Sequence, residues 1–254
     1  MVYPNFYSNW NTKNMKFYQS IALHYHHIFP FNPAHLKLVL DKNPSSEKAT
    51  LLDIGCGIGS LSAEIARHFE EVKAIDLDEQ MIQRAKTENQ KDKLEFFEMD
   101  MMEINRNFKA KTFQSVICFG NTLVHLTQED QILDFFRKVK EVLKENGKFL
   151  FQIINYDRIL DEEIDSLPTI ENENIRFVRN YNFDSSSGLI HFETNLLVKN
   201  RGIEIINSVP LFPLRKNKLD ELLKEAGFTS VQYYGNFKKD KWTEQSVPLL
   251  GVAE

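Results

Sequence analysis

The chain has 254 residues, of which 42% are hydrophobic and 26% charged, with a formal net charge of -5. This length suits one α/β domain with an insertion, and the absence of any apolar run of about eighteen residues excludes a membrane-spanning helix. The acidic balance argues against long-range attraction to nucleic-acid phosphates, and the spacing of Cys56 and Cys118 against a disulfide framework or zinc site; an N-terminus without signal-peptide features leads us to expect a cytoplasmic protein.

In chain order, Phe17 to Ile28 reads as a helix ended by Phe29-Pro30, and Asn32 to Leu40 as a second helix. His24, His26 and His27 do not suggest a metal site, because only His24 and His27 share a helix face and no carboxylate stands beside them. From residue 50 the pattern alternates. Apolar runs of strand length occupy Thr50 to Ile54, Val72 to Ile75, Leu94 to Phe97, Ser115 to Phe119 and Lys148 to Ile154. Helix-period stretches lie between them at Ser60 to His68, Glu79 to Asn89 and Gln128 to Lys144, the last closed by Asn146-Gly147. Strand-then-helix repetition implies parallel strands joined by right-handed crossovers, hence a doubly wound α/β sheet preceded by N-terminal helices.

After Ile154 the alternation stops. Ile175 to Phe183, Leu189 to Lys199 and Ile203 to Val209 read as three strands joined by the short turns Ser185 to Gly188 and Asn200 to Gly202, a small antiparallel sheet. Lys216 to Ala226 is the last helix, stopped by Gly227, and Thr229 to Tyr233 with Val247 to Val252 complete the main sheet. The expected organisation is a helical cap over 1–48, a core over 49–155 and 214–254, and an inserted antiparallel lid over 156–213.

The strongest chemical signal is LLDIGCGIG, Leu51 to Gly59, a buried strand running into a glycine-rich turn before a helix. Glycines at 55, 57 and 59 permit positive φ and close approach of backbone to a ligand. Asp76 closes the second strand about twenty residues later, where an acid accepts the hydroxyls of an adenosine ribose. The pair points to an adenosine-containing cofactor.

On these residues the chain resembles the class I S-adenosylmethionine-dependent methyltransferases, whose sheet is Rossmann-like and mostly parallel. Phe96-Phe97-Glu98-Met99-Asp100 resembles the segment whose acid meets the adenine amino group, with the Met101 amide facing the ring. SVICFGNTLVHL, Ser115 to Leu126, resembles the fourth-strand segment of small-molecule enzymes such as the glycine N-methyltransferase group. Phe17 to Pro30 resembles that group's N-terminal helix, with Tyr18 and Tyr25 at the positions that contact the methionine end, although His26 stands where relatives often carry an acid. The resemblance implies S-adenosyl-L-methionine as cofactor, bordered by Asp53, Gly55, Cys56, Gly57, Asp76 and Leu77. Asp100, Met101, Phe119, Tyr18 and Tyr25 complete that set, and the implied reaction is methyl transfer to a nitrogen or oxygen of a small molecule.

Two other readings share these residues. A nicotinamide-dependent oxidoreductase uses the same topology and ribose acid, but it normally needs a third glycine of GxGxxG near the pyrophosphate, where this chain has Ser60. A catalytically silent adenosyl-binding protein would keep the whole cofactor set, and RNA or protein stands as an alternative acceptor. If an amine or hydroxyl is methylated, its proton must leave, and the candidates are His125 beyond the fourth strand and Tyr156 beyond the fifth. Asn121 either shapes its loop or contacts substrate. On the insertion, Arg176, Arg179 and His191 either read an acidic substrate or face solvent. Lys238, Lys239 and Lys241 read as a solvated surface, and oligomeric state is open.

Overall fold

Residues 20–254 are described by the computed structural model, so Tyr18 and the start of the expected first helix lie outside the described residues. The remainder of that segment is not one continuous helix. A 3-10 turn, Ala22–His24, leads into the short helix α1 (Tyr25–Ile28). Tyr25, His26 and His27 are indifferent helix formers, and the tightened turn buries Ile21 and Ile28 in one core while Ala22 packs with Ile58 and Met81. Helix α2 (Pro33–Lys42) starts as its sequence dictates: Pro33 opens it, and the Asn32 side chain accepts the Ala34 N–H at 3.0 Å.

The main sheet collects β1 (Thr50–Ile54), β2 (Glu71–Asp76), β3 (Leu94–Glu98), β4 (Phe113–Cys118), β5 (Leu143–Ile154), β10 (Val231–Tyr234) and β11 (Pro248–Ala253). Its order is β10-β11-β5-β4-β1-β2-β3. The first five strands pair in parallel, while β11 runs antiparallel to both β5 and β10. Alternate residues feed two cores, as expected when both faces are covered. Leu51, Val72 and Ala74 pack with α2 on one face, and Leu52, Ile54 and Ile75 pack on the other. The intervening helices are α3 (Ser60–Ile65), α4 (Glu79–Glu88), the single turn α5 (Ile104–Asn107) and α6 (Glu129–Val142). Helix α6 buries Ile132, Phe135, Phe136, Val139 and Val142 and carries Glu129 and Asp130 in its first turn, where acids suit the helix dipole.

A second sheet follows α7 (Tyr156–Asp161) and has the order β6-β7-β8-β9, formed by β6 (Ser166–Glu171), β7 (Ile175–Asp184), β8 (Leu189–Val198) and β9 (Ile203–Leu211). It is antiparallel throughout. Its inward residues Phe177, Tyr181, Ile190, Leu196 and Val209 join the core that α6 builds. Helix α8 (Lys216–Glu225) then returns the chain to the main sheet.

The sequence pattern missed β6, making four strands where three were expected. Pro168 removes a ladder donor, and the register slips between Leu167 and Ile170, both tolerable only in an edge strand. It also missed α7 and extended two helices too far. Helix α3 stops at Ile65 because its last turn tightens, His68 N–H reaching the Ile65 carbonyl at 2.9 Å. Helix α6 ends at Val142 and β5 begins at once, with Asn146 in the left-handed region at φ 59°.

Gly251 on β11 lies opposite Phe151 on β5. A Cβ there would sit 2.1 Å from the Phe151 ring, so Gly251→Val should overpack the sheet by about 1–3 kcal/mol. A thermal melt checks this, and an unchanged midpoint would contradict the packing of β11 against β5.

Candidate active site

The strand order reverses at β1, whose neighbours β2 and β4 lead to opposite halves of the sheet, and open α/β folds bind ligands beside the carboxyl ends of strands at such a point. The turn after β1 is held there by its own backbone: the Gly55 and Cys56 N–H groups both donate to the Ile75 carbonyl of β2, at 2.9 and 3.0 Å. Gly55 and Gly57 have φ of 73° and 56°. Side chains are excluded at both. A Cβ on Gly55 would meet Thr122 Oγ1 at 2.4 Å, and one on Gly57 would meet the Tyr25 ring at 3.1 Å.

Asp76 ties this turn to β2. Its Oδ2 accepts the Gly57 N–H at 2.8 Å and its Oδ1 the Asp78 N–H at 3.0 Å. Each oxygen keeps a further lone pair for a ligand hydroxyl. Burial raises the Asp76 carboxyl to about 6, although both backbone N–H groups pull the other way. Deeper in the fold, Asp53 accepts the Ser62 hydroxyl at 2.6 Å, and burial lifts it to about 7. Burial also raises Asp78, which caps α4 through Oδ1 while its buried Oδ2 has no partner. Burial holds the Cys56 thiol well above its ordinary value, which suits packing and not nucleophilic attack. At the tip of β3, Asp100 Oδ1 accepts the Met102 N–H at 2.9 Å beside an apolar ledge of Met99, Met101 and Met102.

Beyond β4, Gly120 and Asn121 both take left-handed backbone, with φ of 74° and 69°. Asn121 staples that loop to the end of β5: Oδ1 accepts the Ile154 N–H and Nδ2 donates to the Tyr156 hydroxyl, each at 3.0 Å. Tyr156 is fully buried and is not on the cleft wall. His125 does line the cleft, and burial pushes its imidazole down to about 4, so it is neutral at physiological pH.

These features enclose one cleft of about 890 Å³. Tyr25, Asp53, Gly55, Cys56, Gly57, Asp76, Leu77, Asp100, Met101, Phe119, Asn121 and His125 all lie on its wall. Of the insertion's polar residues only Arg179 does; Arg176 faces Glu171 at 3.8 Å and His191 faces Asp184 at 4.0 Å, both on the outer surface. Sequence reasoning passed over Asp78, Gln131 and Gln152, which also line the cleft. Asp78 was legible as a helix cap two residues past Asp76, whereas Gln152, which accepts the Gly120 N–H at 2.9 Å, carries no local signal.

The wall fits an adenosyl cofactor on its own terms: two side-chain-free positions, an acid with lone pairs to spare, and a methionine ledge beside a second acid. Residues 51–147 match the family described as Methyltransferase domain. The glycine/sarcosine N-methyltransferase of Aphanothece halophytica is 29% identical over 193 residues, 74% of this chain and 69% of that protein. Two solved structures share the fold. The CcbJ methyltransferase from Streptomyces caelestis superposes with a TM-score of 0.78 at 17% identity, covering 92% of this chain and 95% of that one. An S-adenosylmethionine-dependent methyltransferase from Clostridium acetobutylicum ATCC 824 gives 0.75 at 16% identity, over 93% and 98% of the two chains. Fold and site together define a methyltransferase domain on a Rossmann-like sheet. The chain carries a methyltransferase domain over residues 51–147, on the fold of S-adenosylmethionine-dependent methyltransferases of known structure.

Asp76 gives a pH dependence with a definite sign. Because burial raises its carboxyl to about 6, the free protein holds a proton there below that pH, and the proton must leave before Asp76 can serve a ligand hydroxyl as a charged acceptor. Affinity for S-adenosylhomocysteine should therefore rise with pH through that value and level off above it. Asp76→Asn should bind at least about tenfold more weakly at neutral pH. Asp53 titrates in both proteins, and losing the Asp76 charge also eases the titration of Asp53, so the difference between the calorimetric pH curves reports Asp76 together with that coupling; parallel curves would remove Asp76 from the binding site.

Proposed function

We propose that the methyl acceptor is a small molecule presenting a nitrogen or oxygen nucleophile. The observation that carries this reading is the shape of the cleft, which runs from the glycine turn and Asp76 to Tyr181 and Phe192 on the inward face of the second sheet, enclosing about 890 Å³. Pockets for small ligands typically measure about 300–1,000 Å³. An RNA or protein acceptor would call for an open surface and, for RNA, a stripe of free cations. Here Arg106 pairs with Glu103, and Lys138 with Asp134. The Aphanothece halophytica relative, by its name, acts on glycine and sarcosine, which supports an acceptor of modest size.

In this reading Asp76 receives the ribose hydroxyls, Asp100 and the Met101 amide meet the adenine, and Leu77 and Phe119 flank the adenosine. Tyr25, Asp53, Gly55, Cys56 and Gly57 border the methionine end. S-adenosylmethionine, when bound, supplies a methyl group on a positively charged sulfur. The protein's own part is alignment and exclusion of water, and orientation alone can lower such a barrier by about 7–11 kcal/mol. The Tyr25 ring offers a π face to a cation beside the glycine turn. His125, held neutral by burial at about 4, is suited to accepting a hydrogen bond from the N–H or O–H of the nucleophile, whose proton leaves to solvent once the methyl group is attached. Asn121 and Tyr156 are positioning residues that hold the loop on which His125 stands. The intracellular supply of the cofactor supports a cytoplasmic location.

Release of S-adenosylhomocysteine, followed with pooled metabolites, tRNA, rRNA and protein extract as separate acceptors, tests the reading. Turnover is expected with metabolites alone, and His125→Ala should lower kcat/KM by about three- to tenfold, the worth of one hydrogen bond. Robust methylation of RNA or protein with no activity on metabolites would overturn it.

A further inference from the structure

From Ile175 to Tyr181 the two faces of strand β7 alternate. Ile175, Phe177 and Tyr181 point inward and are buried, and the inward position between Phe177 and Tyr181 belongs to Arg179. The two-residue period that turns Arg176 out to Glu171 turns Arg179 into the cleft, beside Leu167, Tyr181, Phe192 and Leu211. Arg179 is half-buried, and a guanidinium drawn even partly out of water is costly to hold unless a counter-charge meets it. Among the described residues none does. Its one hydrogen bond runs from Nη2 to the Pro168 carbonyl at 2.6 Å, and its Nε is shut off from solvent with no acceptor.

A neighbour of Arg179 shares the mismatch. Thr194, the cross-strand partner of Arg179 on β8, is also buried, and its Oγ1 likewise has no partner. The other lysine and arginine of the wall, Lys138 and Arg106, are both paired with acids. Bracing of the edge strand through Pro168 uses one of five guanidinium N–H groups and would not require a cation.

We propose that Arg179 recognises the acceptor through a carboxylate, gripping it at the second-sheet end of the cleft while the nucleophile points to the glycine-turn end. The acceptor class is therefore a small amine or hydroxyl compound that also carries a carboxylate. This rests on the methyltransferase reading of the same cleft. A carboxylate suits the site better than a phosphate, because one unpaired guanidinium balances one negative charge and, among the described residues, no second free cation lines this wall.

The test follows Arg side-chain N–H resonances in 15N spectra, with the Arg179 signal assigned by its loss in Arg179→Gln. Acetate, acetamide and inorganic phosphate are titrated as probes, each with and without saturating S-adenosylhomocysteine. Acetate should shift the Arg179 signal and acetamide should not. Calorimetric acetate affinity should fall at least about tenfold in Arg179→Gln, fall less in Arg179→Lys, and stay unchanged in the outward control Arg176→Gln. S-adenosylhomocysteine affinity should be the same in all four proteins, which keeps failure of the cofactor reading separate from failure of this one. Equal response to acetate and acetamide, a preference for phosphate, or acetate binding that survives in folded Arg179→Gln would each overturn the proposal. Should Arg179→Gln fail to fold, the wild-type comparison of acetate with acetamide and the Arg179→Lys affinity still decide it.

Discussion

One carboxylate holds the working end of this molecule together. Asp76 accepts the N–H of Gly57 from the turn after β1 and that of Asp78 from the start of α4, so three chain segments meet on its two oxygens. Charge-assisted hydrogen bonds of this kind are short and directional, and they strengthen as water is excluded. The same exclusion raises the proton affinity of the acid. Rigidity of the glycine turn and sensitivity of the site to pH thus share one cause, desolvation of a group that must carry charge to serve a ligand.

The far end of the cleft is organised differently. There the main sheet supplies a platform, the ends of β4 and β5 stapled by Asn121, and the second sheet supplies a roof of aromatic side chains. Tyr156 links the two layers: its hydroxyl meets Asn121 and its ring lies 6.5 Å from that of Tyr181, edge to face. The two ends thus present different groups, backbone and carboxylates at one and a few inward strand positions of the second sheet at the other. The inward arginine on β7 is such a position.

Much of this was legible locally. The alternation of apolar runs located β1 to β5 to within a few residues, except that β5 begins earlier at Leu143, because burial on both sheet faces forces continuous apolar strands and helices must cover them. Glycines 55 and 57 and Asp76 marked one end of the cleft because backbone conformation and strand-tip acids leave short-range signals. Strand β6 was not legible, since SLPTIE has neither strict alternation nor a proline-free run, and it becomes a strand only by pairing with β7. Helix α1 was read as longer and more regular than it is, because its geometry follows the burial of Ile21 and Ile28 and not its propensity.

What the sequence determined by itself is the part written at periods of two and 3.6 residues and in the glycine turn: the doubly wound sheet, the second, antiparallel sheet and the glycine-turn end of the cleft. What only the tertiary structure decided depends on contacts between residues distant in the chain. Tyr156, read as a base, is a buried partner of Asn121, and His125 is neutral because the fold desolvates it. Arg176 and Arg179 looked alike as polar residues of one strand, and the packing of the second sheet on the first set one in water and the other in the cleft. Alternation separates two faces of a strand, but which face is buried is fixed by what packs against it.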